Sequence, residues 1–258
     1  MIDHRYAMAR KSVSAVDRVL LVCSGKGGVG KSVIASSLAL ALKDLGRAVG
    51  LLDLDVHGPS APLVLGSGEA RLSGGREGLY PVDLDGLKVF SLHYYIEDKP
   101  VPVRGAVKES LVLSILAELA WGRLDYLVVD EPPGTGDEIM ITIRVLGDKA
   151  GAVLVTTPSV LSLSVVRRLL ALLRDEGVRI LGLVENMSYL VYKGEIVELF
   201  GRSRAEELGV RVLGRVPLDP SLDEAIVSGA GVRSAKLFWS AVQEIALKID
   251  RGWEQLKA

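Results

Sequence analysis

A glycine-rich loop, CSGKGGVGKS at residues 23–32, closes a compact apolar run at 19–23 and opens a segment of helical period at 32–45. This junction restricts the fold more than any other feature of the chain. Such a loop gathers backbone N–H groups at a helix N-terminus, where the helix dipole favours an anion, and it works when a buried strand leads in and a helix leads out.

The loop satisfies two patterns. Gly25, Gly27 and Gly30 fit the dinucleotide pattern G-x-G-x-x-G, with Asp53 at about the distance that pattern expects. Gly25, Gly30, Lys31 and Ser32 fit the P-loop pattern G-x-x-x-x-G-K-[ST]. A dinucleotide needs only close backbone approach, whereas a triphosphate needs a cation on its β/γ-phosphates and a hydroxyl on Mg²⁺. Lys31 and Ser32 supply both groups. The segment DYLVVDEPPGTGDE at 125–138 adds an apolar run closed by Asp130, the second strand and acid that a P-loop requires.

The rest of the chain alternates in the same way. Runs at 19–23, 49–54, 126–129, 152–156 and 180–184 read as strands buried on both faces. Segments 32–45, 107–120, 137–146 and 161–174 carry apolar residues at helical spacing. The expectation is one α/β domain, a mostly parallel sheet with helices on both faces. Residues 1–18 read as an N-terminal extension and 19–258 as the domain. Residues 57–102, richer in Gly, Pro and turns, read as an excursion from the sheet. In 234–256, Phe238, Val242, Ile245, Ile249, Trp253 and Leu256 form one stripe, expected to pack on the sheet, with a membrane-surface or partner helix as the alternative.

Composition narrows the partners. Lys plus Arg number 31 and Asp plus Glu 32, a net charge of -1, so nucleic acid is not a default partner and an anionic membrane gains no bulk attraction. The longest uncharged run, 150–166, carries Pro158 and falls short of a bilayer span, so no stable membrane insertion is expected. Cys23 is the single cysteine, which excludes an internal disulfide, and residues 1–18 lack an apolar signal core; the expected location is cytoplasmic.

GKGGVGKS resembles the deviant Walker A loop of the MinD/ParA-like P-loop ATPases. With LLDLDVHGPS (51–60), VRG (103–105), DYLVVDEPPGTGD (125–137), VENMSY (184–189) and VPLDPSL (216–222), the chain resembles the Mrp/ApbC family of iron-sulfur cluster carrier ATPases over residues 19–229. The resemblance implies ATP and Mg²⁺ as ligands and a nucleotide-gated homodimer. Gly25, Lys26, Gly27, Gly28, Val29 and Gly30 would form the phosphate cradle, with Val33 completing the helix start. Lys31 would bind the β/γ-phosphates, and Lys26 would reach the partner subunit's nucleotide. Ser32, Asp53 and Asp130 would hold Mg²⁺ or its waters. Asp55 would position the attacking water, and residues 134–136 would sense the γ-phosphate. Asn186, the only asparagine, would bond the base beside Pro217 and Asp219. Read from the residues alone, Lys26 also suits a solvated loop, Asp53 and Asp55 a strand cap and turn, and Asn186 a turn.

Two departures stand out. Glu131 occupies a position that is apolar in the family. Alternation along an extended chain turns it away from Asp130, as a surface residue or as a second acid near the metal. The family's cluster carriers also show a C-x-x-C pair after ENMSY, where this chain has LVYKGEIVELFG at 190–201, without cysteine. Iron-sulfur clusters are held by thiolates, and Cys23 reads as a small buried residue, so no cluster is expected from the chain's own residues. Three roles follow: cluster delivery with a cysteine-rich client that supplies the thiolates, a MinD/ParA-like dimerisation switch positioning a cargo, or a regulatory module with very slow hydrolysis.

Overall fold

The computed structural model describes residues 4–55, 58, 60–96, 106–200, 203 and 205–254. Residues 56, 57, 59 and 97–105, which include the VRG segment, lie outside them, as do Gly201 and Leu256. The strands are β1 (Val16–Cys23), β2 (Val49–Asp53), β3 (Ser73–Gly75), β4 (Gly78–Tyr80), β5 (Val82–Leu84), β6 (Leu87–Ser91), β7 (Leu124–Asp130), β8 (Ala150–Thr156), β9 (Arg179–Glu185), β10 (Tyr189–Tyr192), β11 (Glu195–Glu198) and β12 (Val212–Arg215). The helices are α1 (His4–Ser12), α2 (Lys31–Asp44), α3 (Ala61–Val64), α4 (Leu92–Ile96), α5 (Ala106–Glu118), α6 (Asp137–Leu146), α7 (Val160–Asp175), α8 (Ser221–Val227) and α9 (Lys236–Glu254).

Eight strands form one sheet in the order β12-β9-β8-β1-β7-β2-β6-β5. All neighbours run parallel except β5 on β6. The period-two alternation of β1 sorts its side chains to two cores. Val19, Leu21 and Cys23 face the core built from α1, α5, α6 and α7. Leu20 and Val22 face the core built from α2 and α9. Because these strands share one direction, Cys23, Asp53, Asp130 and Glu185 end at the same margin of the sheet, where ligands of open α/β folds bind.

The expected excursion is partly sheet. β6 pairs with β2, and β5 folds back on β6 through Asp85 and Gly86, whose φ values are +52° and +89°. An Asp-Gly pair between apolar runs is a hairpin signal, and VDLDGLKVF carries it; among the described residues of 57–102, β3 and β4 form a separate ribbon. At the N-terminus, Ala9 and Val13 are buried in the core. Arg5 donates to Ser110 Oγ at 2.6 Å, and Ser12 Oγ to the Leu116 carbonyl at 2.5 Å. The position expected as the start of the domain, residue 19, thus lies inside β1, and α1 packs on α5.

The C-terminal stripe packs inward. Phe238, Val242, Ile245, Ile249 and Trp253 are buried in the core shared with α2. Below them a polar cluster fixes α9 to the amino ends of the strands. Arg18 donates to the Tyr126 hydroxyl at 2.6 Å, which donates to Asp250 Oδ1 at 2.9 Å, and Arg47 pairs with Asp250 Oδ2 at 2.7 Å. Among the described residues no helix is long and apolar enough to cross a membrane.

Candidate nucleotide-binding site

Residues 24–30 join β1 to α2, and their glycines serve different ends. Gly28 and Gly30 take φ of +76° and +78°, which disfavours any side chain there. A Cβ on Gly30 would lie 2.2 Å from Asn186 Nδ2, and one on Gly25 would lie 2.8 Å from the Val165 backbone of α7. At Gly27 and Gly28 a Cβ would meet nothing within 4 Å. Gly25 and Gly30 therefore let the loop seat on the protein, while Gly27 and Gly28 leave its outer side open. Val29 is buried and anchors the loop, and Lys26 is exposed at its tip.

Lys31 opens α2 and turns inward. It is 6% exposed, and its Nζ lies 3.3 Å from Ser32 Oγ and pairs with Asp130 Oδ1, which is fully buried at the end of β7. Asp130 Oδ2 is buried without a protein partner. Burial pushes the Asp130 carboxyl up, and the Lys31 ammonium opposes that rise. The orphaned carboxylate oxygen and the Ser32 hydroxyl are hard oxygen donors of the kind Mg²⁺ takes alongside phosphate and water, so the residues present fit that ion.

Asp53 stands opposite Asp130 in the β2–β7 register. Its Oδ1 accepts from the Asp55 N–H at 3.1 Å, and its Oδ2 from the Ala61 N–H at 3.2 Å and Ser91 Oγ at 3.0 Å. Asp53 thus ties Asp55 to the start of α3 at Ala61. Burial, followed by the facing Asp130, raises its pKa to about 7. Asp55 is half-buried, and with Lys26, Gly28, Lys31, Ser32 and Pro133 it lines a cavity of about 210 Å³ over the loop. The loop after β7 is fastened to the same place, since the Gly134 N–H donates to the Ser24 carbonyl at 2.8 Å.

Asn186, expected at a base, lies beside the phosphate loop: its Nδ2 donates to the Val29 carbonyl at 2.9 Å. Pro217 is buried beyond β12. Asp219 accepts from Ser221 N and Oγ through Oδ1 and from the Phe238 N–H through Oδ2, which joins α8 to α9. Glu131 is a correction to the surface reading. It is fully buried, its Oε2 accepts from Thr142 Oγ1 of α6 at 3.4 Å, and Oε1 has no partner. Burial raises its pKa to about 8. Alternation holds, since Asp130 faces Lys31 of α2 and Glu131 turns the other way, to Thr142 of α6; what differs from the surface reading is that α6 covers that second face. Cys23 is buried as expected, its thiol pushed up first by burial and then by Glu131.

The stretch 190–201 has no cysteine, and its residues up to Glu198 belong to the hairpin β10–β11, which turns at Lys193 and Gly194 with φ of +51° and +82°. Arg215 ties it to β12 through Glu198.

A glycine loop at the carboxyl margin of a parallel sheet, with its lysine and hydroxyl on the following helix and an aspartate on the neighbouring strand, defines a P-loop NTPase. Residues 15–250 match the family model described as ParA, NUBPL iron-transfer P-loop NTPase. An iron-sulfur cluster carrier protein of Methanocaldococcus jannaschii is 38% identical over 266 residues, which cover 100% of this chain and 91% of that protein. The human cytosolic Fe-S cluster assembly factor NUBP2 is 43% identical over 84% of this chain and 85% of that protein. The solved nucleotide-binding protein of Archaeoglobus fulgidus, in complex with ADP, superposes with a TM-score of 0.77 at 32% identity, over 91% of this chain and 95% of that one. The chain belongs to this ParA/NUBPL family of iron-transfer P-loop NTPases.

Proposed function

We propose that the protein is a Mg²⁺-dependent ATPase that works as a nucleotide-gated homodimer in the cytoplasm, in the assembly or delivery of iron-sulfur clusters whose thiolate ligands come from a cysteine-rich client. The observation that carries this reading is the buried pair of Lys31 and Asp130. A P-loop lysine held on the aspartate of the neighbouring strand is poised to change partners. Lys31 would exchange Asp130 for the β/γ-phosphates of ATP, which frees the Asp130 carboxylate. Ser32 and Asp130 are the residues that would hold Mg²⁺, and Asp53 ties Asp55 and Ala61 in place beside them. When bound, Mg²⁺ neutralises charge on the phosphate oxygens.

The exposed Lys26 acts in trans on the partner's nucleotide, as an arginine finger does, and Asp55 orients the attacking water. Exchange at Asp130 is passed to α6 through the turn at 131–136. Family membership supports the cluster-delivery role, and the relatives named above carry that role in their names. The hairpin at 189–198 supplies no thiolate, which supports the reading that the ligands come from the client.

The test measures cluster transfer from a client that already holds its cluster to an apo-acceptor, with ATP-Mg²⁺, ADP-Mg²⁺ and no nucleotide. The reading requires ATP-dependent transfer that Lys31→Ala abolishes. Transfer unaffected by the protein removes the delivery role, and absence of ATP turnover removes the enzymatic one.

A further inference from the structure

At the amino ends of the strands, away from the phosphate loop, β12 does not cover the whole of β9. β12 enters register opposite Leu183, while β9 starts at Arg179. Residues 179–181 thus have β8 on one side and no described strand on the other. A groove of about 300 Å³ lies over this margin. Leu181, Leu213 and Ile249 of α9 give it an apolar lining, and Arg179, Arg211 and Lys248 complete the wall.

The three cations are exposed, and among the described residues no carboxylate pairs with any of them. Among the described residues, only Lys248 of the three makes a side-chain hydrogen bond, to the Leu213 carbonyl at 2.8 Å. No acid lines the groove. Asp250, next to Ile249, is committed to Arg18, Arg47 and Tyr126. Glu176 lies in a neighbouring groove with Arg144, which Arg179 also borders.

We propose that this groove docks an extended acidic peptide segment of a partner protein, which lies along the free margin of β9 and sets its carboxylates against Arg179, Arg211 and Lys248. Three features point to that occupant. An uncovered strand margin offers backbone donors and acceptors to an added strand. An extended segment presents alternate side chains to an apolar lining. Three unopposed cations select carboxylates and steer their approach. A nucleic-acid backbone would satisfy the cations but would gain nothing from Leu181, Leu213 and Ile249. The groove is separated from the phosphate loop by the length of the strands, about 20 Å for a strand of this size, so peptide and nucleotide bind together.

The test is fluorescence anisotropy on the full-length protein with four labelled probes: a short peptide alternating Asp and Val, its Lys-for-Asp counterpart, the acidic peptide N-methylated at alternate amides, and a short DNA duplex. The acidic peptide is expected to bind about tenfold or more tightly than the other three. Arg179→Glu with Arg211→Glu removes its binding, while ATP turnover stays at the parent level. Should that double variant fail to fold, Lys248→Glu reports the same loss on the folded protein. Equal binding of the acidic and basic peptides overturns the charge assignment. Undiminished binding of the N-methylated peptide overturns strand addition, and tighter binding of the duplex makes the groove a nucleic-acid site instead.

Discussion

Lys31 and Asp130, 99 residues apart in sequence, form an ion pair buried between the P-loop helix and the end of β7. A buried pair contributes little net stability, yet deleting one partner strands the other charge in the interior. Asp130→Ala is therefore expected to destabilise the protein by about 3–5 kcal/mol in denaturant unfolding without nucleotide. Lys31→Met added to Asp130→Ala is expected to recover part of that loss. A single variant that unfolds like the parent contradicts the pairing.

Gly30 combines a left-handed backbone with a close neighbour. Gly30→Ala meets both the cost of φ +78° and the contact with Asn186. The expected loss is about 1–2 kcal/mol from the backbone alone, with a further loss from the clash. Asn186→Gly in the same protein relieves the clash and leaves the backbone cost, but it also removes the Nδ2 bond to the Val29 carbonyl, so Asn186→Gly alone is the reference for the double variant. Thermal unfolding of the single and double variants separates the two contributions.

Glu131 gives a pH dependence with a definite sign. Its pKa is raised from 4.5 to about 8 on folding, so the folded protein retains a proton that the unfolded chain releases. The stability tied to this group is complete below pH 4.5 and is lost as pH rises towards 8. Glu131→Gln stays neutral, so its advantage over the parent should be small near pH 4 and reach a few kcal/mol at pH 9. Unfolding curves for nucleotide-free, metal-free protein at the two pH values measure it. An advantage that does not grow with pH contradicts the assignment.

Asp250 binds Arg18, Arg47 and Tyr126 at the opposite end of the strands from the phosphate loop. Asp250→Ala leaves Arg18, 11% exposed, without its carboxylate. A loss of about 3 kcal/mol is expected, with nucleotide affinity unchanged. Isothermal titration with ADP-Mg²⁺ checks the second part.

The sequence made the local features legible and left the non-local ones hidden. The run at 19–23, the glycine loop and the helix after it follow from neighbours in sequence, and so do Asp130 at a strand end and the inward stripe of α9. The Lys31–Asp130 pair, the Asn186 grip on Val29 across 157 residues, and the cluster around Asp250 depend on which strands become neighbours. Residue type and spacing do not encode that. β5 and β6 were missed because each is short and sits at the sheet margin, although Asp85-Gly86 marked their turn. Alternation turned Glu131 away from Asp130, as found, but that the face it turns to is covered by α6 depends on tertiary packing that spacing does not encode.

In the proposed switch, nucleotide closes two subunits over Lys26. Light scattering with no nucleotide, with ADP-Mg²⁺ and with a non-hydrolysable ATP analogue, for the parent and Lys26→Ala, tests it. A dimer is expected with the analogue, lost in Lys26→Ala while nucleotide still binds. An oligomeric state indifferent to nucleotide, or a dimer that persists without Lys26, contradicts it.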